Sequence, residues 1–320
     1  MDIDIILEPD VSPQQMAELG IEAERLGIRA LWSSNYHMHY DAFLALAPVA
    51  TATSRLIIGP LAISPWEMHP LKMANAILTL NEMANGRAMI GVSGGGGVLG
   101  ALGWKASNGG TGWPAFDPAT RKSEPDRRLR AIRECIEVLQ HARSGKFSMG
   151  YDGGIFEIRR PWGMAWAEHE GPLIYSCASG PKMIQLGARI AEGIQFSDFT
   201  PAMMPDAMEN VHAGLAKRET PATDFRVGNF WAWHIKKDHA ASMYEARREL
   251  IWRGAVVGMI KQDLMPYLHD ESEYDLMVEK WNNFRIAFRD RSGNIEGVPE
   301  DIVNRLIAGM SSAGDFSDID

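Results

Sequence analysis

The sequence predicts a parallel α/β fold closed as a barrel, and three observations carry that reading. Short apolar runs alternate strictly with amphipathic stretches through the first 97 residues. The run at residues 88–92 is apolar throughout, as a parallel strand covered on both faces is. No glycine fingerprint follows the first of them, which disfavours an open dinucleotide-binding sheet.

In chain order, residues 3–7 make a first strand, and Ser12 and Pro13 open a helix whose Met16, Leu19, Ala23 and Leu26 share one face before Gly27 ends it. Residues 28–33 follow as a second strand. Asp41 caps a helix over residues 43–52. Residues 56–63 form a third strand with a bend at Gly59 and Pro60, closed by Ser64 and Pro65. From Pro70, a residue suited to a first helical turn, Leu71, Ala74, Ile77, Leu78 and Met83 recur at helical spacing, and Asn85-Gly86 supplies a left-handed stop. Residues 88–92 then read as a fourth strand, with Ser93 and four glycines at its carboxyl end, where parallel α/β folds place their ligands. Bare glycine amides there can approach an anion or a flat ring, or form a plain loop.

Residues 97–123, rich in Gly, Asn, Ser and Pro around Trp104, Trp113 and Phe116, are too long for an ordinary connection and read as a lid. Pro125 starts an amphipathic helix with Leu129, Ile132, Ile136 and Leu139 on one stripe; its arginines are a solvated face, with Arg127 or Arg128 within reach of a ligand phosphate. Residues 144–171 are a hairpin insertion, and the alternation resumes with a fifth strand over 172–178. Ser179, Gly180 and Pro181 open the next helix, whose first amides are either a phosphate seat or a plain cap. A sixth strand ends at Ser197, and residues 225–235 give a seventh. From Asp238 the pattern is helical, with an insertion over 254–300, and no eighth strand stands out; residues 255–260 are the substitute, or the last β/α unit is missing.

Composition bounds the function. At 320 residues, 46% hydrophobic and 23% charged, the chain suits one large domain, taken here as residues 1–320, or two smaller ones. A net charge of -9 without a Lys/Arg cluster excludes a nucleic-acid groove. No apolar run reaches membrane length and no signal-peptide pattern opens the chain, so no membrane partner is expected. Cys135 and Cys177 are too few for a disulfide framework, which fits a reducing cytoplasm.

Residues 22–35 (EAERLGIRALWSSN) and 179–194 (SGPKMIQLGARIAEGI), with Ala50-Thr51-Ala52-Thr53, His69-Pro70, Thr79-Leu80 and Gly86-Arg87 in order, carry a family likeness. Over about residues 1–95 and 125–235 the chain resembles the bacterial-luciferase-like superfamily, most of all its F420-dependent methylene-tetrahydromethanopterin reductases and dehydrogenases. The resemblance implies a TIM-type (β/α)8 barrel that binds reduced F420 or FMN at the carboxyl ends of its strands. It implies a non-proline cis bond at Leu61 and Ala62 behind the ring. It places the phosphate at Ser179, Gly180 and Pro181 and near Ser197 and Thr200, with Asn35, Ser64, Gly94 and Gly95 also at the cofactor. Where many F420-dependent relatives carry Asp-His and a later acid, this chain has Asn35-Tyr36 and Gly96, so Tyr36, His37 or His39 becomes the expected acid or base.

The expected function is therefore hydride transfer from F420 or FMN to a small organic substrate, or oxygenation with FMN, with Trp104, Trp113 and Trp231 as pocket walls. F420 is preferred because the reductase-like segments match best. An unclosed barrel would leave apolar surface for a homodimer or higher homo-oligomer. Two other classes compete. His37-Met38-His39 is a metal-ligand spacing that, with His234 and Asp198, would suit a metal-dependent amidohydrolase. A non-catalytic flavin-binding protein would need no acid at all.

Overall fold

The computed structural model describes residues 2–8, 10–95, 101–102, 116–117, 122–123, 125–290 and 292–319. The chain divides into two compact units, Met1–Gln195 with Asn210–Val227 and Phe196–Glu209 with Gly228–Asp320.

The first unit is built on parallel strands. β1 (Asp4–Leu7), α1 (Pro13–Arg25), β2 (Ala30–Ser34), α2 (Ala42–Ala52), β3 (Ile57–Leu61), α3 (Pro70–Met83) and β4 (Met89–Ser93) alternate without interruption. α4 (Pro125–Arg143), β5 (Leu173–Cys177), α5 (Pro181–Ile190) and the start of β6 (Gly193–Ser197) continue the order. β1 pairs with β2, β2 with β3, β4 with β5 and β5 with β6, all parallel, and bridges from Ile58 to Ala88 and from Ile63 to Val92 join β3 to β4. β7 (Arg226–Phe230) begins beside the start of β6, where the Arg226 N–H donates to the Glu192 carbonyl. Successive strands each beside the next, all parallel with crossover helices, is the TIM-barrel order.

Local chemistry explains why these segments take these shapes. Ser12 and Gln15 form a capping box at the start of α1, and the Asp41 carboxylate accepts from the Phe43 and Leu44 amides at the start of α2. His69 does the same work for α3, its Nδ1 accepting from the Leu71 amide. Gly59 does not break β3; a side chain there would collide with the Met89 carbonyl, so glycine lets β3 and β4 close together. Asn85 and Gly86, with φ of 51° and 83°, turn the chain from α3 into β4. Arg87 then donates to the carbonyls of Ala50, Thr53 and Leu56 and to the Thr53 hydroxyl, closing the end of α2. The Glu24 carboxylate accepts from the amides of Ser54, Arg55 and Leu56 on the same connection. Against the opposing pull of burial, those amides of Arg55, Leu56 and Ser54 hold Glu24 down at about 2.

The main apolar core of this unit lies between the strands and helices and includes Met16, Leu31, Leu46, Ile58, Met73, Ile77, Ile90, Ile132 and Ile174. Within 144–171, Tyr151–Asp152 and Glu157–Ile158 pair antiparallel. The buried Glu134 carboxylate on α4 accepts from three successive amides, those of Gly154, Ile155 and Phe156.

In the second unit β7 runs on through Phe230 into a short continuation at Ala232–Trp233. Here the structure corrects one expectation: a two-residue strand, β8 (Ser311–Ser312), pairs parallel with that continuation, so the barrel order has its eighth strand. Residues 255–260, the sequence-based substitute, instead hold most of a short helix, Gly254–Val257, and a turn. Short helices fill the rest of this unit, and their own core gathers Leu250, Val256, Leu264, Met277, Phe284, Leu306 and Met310. Among the described residues no helix is long and apolar enough to cross a membrane.

Candidate functional site

The carboxyl end of β2 and the segment after β3 meet in one hydrogen-bonded rim. Ser33 and Ser34 are buried, and Asn35, just beyond them, directs its Nδ2 to the Ala62 carbonyl at 3.3 Å and to Glu67 Oε1 at 2.9 Å. The Ser64 amide donates to the same Glu67 oxygen at 2.6 Å, and the Ser64 hydroxyl accepts from the Trp66 amide at 3.2 Å. Ile63 between them is fixed to β4: its N–H donates to the Gly91 carbonyl at 2.8 Å and its carbonyl accepts from the Ser93 N–H at 3.0 Å. The peptide bond between Leu61 and Ala62 is cis, at the position the resemblance implies. The Leu61 side chain is buried close to Gly91, where an added methyl would also strike the Cys177 sulfur, while Ala62 stays partly exposed.

Asn35, Ala62 and Ser64 are therefore brought together as expected neighbours, and Glu67 joins them unforeseen. Burial pushes the Glu67 carboxyl up, the Ser64 and Asn35 N–H groups pull it down, and the Asp41 charge adds to the rise; the balance is upward. In the sequence Glu67 shows only as a lone acid in the Ser-Pro-Trp-Glu-Met-His-Pro turn, a pattern that ordinary loop composition also produces.

Tyr36, His37 and His39 follow the rim and are exposed, the Tyr36 ring lying 6.0 Å from His39 and 6.5 Å from His37. Burial of its phenol, reinforced by the Glu8 charge, raises the Tyr36 pKa. At the end of β4, Gly94 lies 3.8 Å from the Arg128 Cδ for an added methyl, and the Gly95 N–H donates to the Ser93 hydroxyl at 3.2 Å. Burial lowers the Arg128 pKa. The side chain of Arg127, and Gly96, Trp104 and Trp113, lie outside the described residues.

Gly180 is the N-cap of α5 and makes no side-chain cap bond, Pro181 is its first residue and has no N–H, and the Met183 and Ile184 N–H groups donate to the Gly180 carbonyl. The positive end of the helix lies beside Ser179. Neither Leu61 nor Ala62 lines the surface hollow of about 410 Å³ between α4, α5 and residues 218–220, and the second unit has a hollow of about 370 Å³ around Tyr267 and Gly309.

The second unit holds the remaining expected residues. The Ser197 hydroxyl donates to Asp198, which also pairs with Arg253 at 2.6 Å, and the buried Thr200 hydroxyl has no partner among the described residues. Asp198 is pushed up by burial, with the Arg253 charge opposing. Trp231 Nε1 donates to the Ser312 hydroxyl, and the buried His234 bonds Glu245 at 3.0 Å. The amidohydrolase reading finds no support here: the group of three possible metal ligands among the described residues is His239, Asp315 and Asp318, which contains none of His37, His39, His234 or Asp198. That trio is already accounted for, since Asp315 and Asp318 form a capping box.

A model of the luciferase-like monooxygenase family matches residues 3–315. The chain is 26% identical over 312 residues to a 5,10-methylenetetrahydromethanopterin reductase of Archaeoglobus fulgidus, covering 97% of this chain and 85% of that protein. It is 24% identical over 251 residues to an F420-dependent glucose-6-phosphate dehydrogenase of Kineococcus radiotolerans, 69% of each chain. The solved structure of the coenzyme F420-dependent tetrahydromethanopterin reductase of Methanopyrus kandleri is similar in fold, with a TM-score of 0.76 at 24% identity over 99% of this chain and 87% of that one.

Proposed function

We propose that this chain, which belongs to the luciferase-like monooxygenase family, is an oxidoreductase that uses F420 in preference to FMN to reduce a small organic substrate. The match of the family model to nearly the whole chain carries the oxidoreductase reading, and the names of the curated relatives, a methylenetetrahydromethanopterin reductase and an F420-dependent dehydrogenase, support the choice of F420.

The residues present fit such a cofactor. The start of α5, where Gly180 makes no side-chain cap bond and the helix dipole is positive, suits a phosphate, with Ser179, Gly180 and Pro181 around it. In the second unit, Ser197 and the buried Thr200 hydroxyl are polar groups of a kind that suits an anion. The rim of Asn35, Leu61, Ala62 and Ser64, with Gly94 and Gly95, supports the reading of a seat for a planar ring. When bound, the reduced ring supplies the hydride. The chain's own part is to orient substrate against that ring and to move a proton. Tyr36, kept as a phenol by its raised pKa, is suited to donate one, and His37 and His39 stand beside it. Arg128, against Gly94, is placed for an anionic group.

The exposed Met38, Tyr40 and Leu44 support assembly as a homodimer or higher homo-oligomer, and two free cysteines support a cytoplasmic location. Titration of the apoprotein with F420 and with FMN, followed by absorbance and fluorescence, tests the reading. Tighter binding of F420 is the expected result; binding of neither removes it.

A further inference from the structure

The rim contains a carboxylate that neither the hydride nor the proton step above requires. One oxygen of Glu67 receives two donors from two parts of the chain, the Ser64 amide at 2.6 Å and Asn35 Nδ2 at 2.9 Å, and the same Nδ2 reaches the Ala62 carbonyl at 3.3 Å. An asparagine amide has one donor end and one acceptor end. Both of its neighbours here, a carboxylate and a carbonyl, are acceptors, so the donor end is held toward 62–64 and Oδ1 is turned away from them. Ionisation of Glu67 strengthens this arrangement, because a charged acceptor holds a donor about twice as strongly as a neutral one. A protonated Glu67 keeps an accepting oxygen but loses that charge, and its O–H competes for Oδ1, so the amide is held less firmly.

We propose that Glu67 is a positioning residue for the bound cofactor, its negative charge fixing the Asn35 amide and, through Ser64, the shape of the segment the ring rests on. The proposal rests on the cofactor reading above and deepens it.

Three groups face Glu67 among the described residues. Asn35 comes from the end of β2, the Ser64 amide from its own turn, and the Asp41 charge from the start of α2, where that carboxylate is engaged with the Phe43 and Leu44 amides. Burial and Asp41 shift the Glu67 titration upward, with the Ser64 and Asn35 donors opposing.

The test measures F420 and FMN dissociation constants for the wild-type protein, Glu67→Gln and Asn35→Ala from about pH 5 to about pH 8, with thermal melts to establish that each variant is folded. Glu67→Gln keeps the size and one acceptor but cannot ionise. The expected result is that wild-type affinity falls roughly tenfold as pH drops through the Glu67 titration, the weight of a hydrogen bond to a charged group. Glu67→Gln should bind weakly with no such pH dependence, and Asn35→Ala should lose the dependence as well. A purely packing role predicts instead that Glu67→Gln follows the wild type at every pH, and that result overturns the proposal. Should Glu67→Gln fail to fold, an Asn35→Ala protein that retains the wild-type pH profile overturns it equally. If the wild type binds neither cofactor, the oxidoreductase reading falls first and this role falls with it; if it binds one and the variants are indistinguishable from it, Glu67 alone is misassigned.

Discussion

The two units solve the same problem, tying helices to their neighbours, with different chemistry. In the first, side chains reach backbone: Arg87 and Glu24 clasp residues 50–56, Asn81 bonds the Ala88 amide and the Glu170 carbonyl, and Glu134 holds three amides of the hairpin. In the second, side chains largely reach each other, as in the pairs Arg247 with Glu300, Arg305 with Glu273 and Asp301, and Lys261 with Glu271. The difference is one of screening. A buried or half-buried backbone group has no alternative partner once its side chain is removed, whereas two surface charges regain water.

The largest effect is therefore expected at Arg87. Arg87→Ala leaves the carbonyls of Ala50, Thr53 and Leu56 without their donor, at a cost of about 3 kcal/mol. Urea unfolding would show it as a lowered midpoint with unchanged slope; an unchanged midpoint would break the contrast between the units.

Glu24→Gln comes next, at about 2 kcal/mol near neutral pH, because the three amides lose an anion. Its signature is in the pH dependence. The folded-state pKa, about 2, lies below the ordinary value of 4.5, so the stabilisation is complete above 4.5 and lost as pH falls from there through about 2. Wild-type and Glu24→Gln stability curves should converge in acid; parallel curves would show that the carboxylate does not carry the effect.

Arg305→Ala, removing bonds to Glu273, Asp301 and the Tyr267 carbonyl, should cost less than either and lose most of its effect in about 1 M salt, where charges are screened within about 3 Å. A salt-insensitive loss would mean that the second unit depends on backbone clasps as the first does.

The same contrast explains what could be read in advance. β1 to β6 are short, largely apolar runs bounded by turn signals, and the helix starts at Ser12, Asp41 and Pro70 carry the chemistry of helix ends. β8 was illegible because Ser311 and Ser312 have neither apolar character nor length; only the neighbouring Ala232 and Trp233 make them a strand. The family marks turned out to act on the backbone: His69 caps α3, Gly86 turns the chain and Arg87 closes α2. That is why they are recognisable and why they say little about chemistry. Asn35, Ala62 and Ser64 came from the resemblance, and Glu67 from neither source, since its meaning depends on two donors meeting one oxygen across 32 positions of sequence in the case of Asn35.

Glu134 has a consequence for anyone who would rebuild this protein. Because one acid on α4 receives three consecutive N–H groups of the excursion over 144–171, that excursion and its helical anchor form a cassette. A transplanted loop will keep its shape only in a recipient that offers a carboxylate at the matching point of the supporting helix, and shuffling between relatives must move the two pieces as a pair.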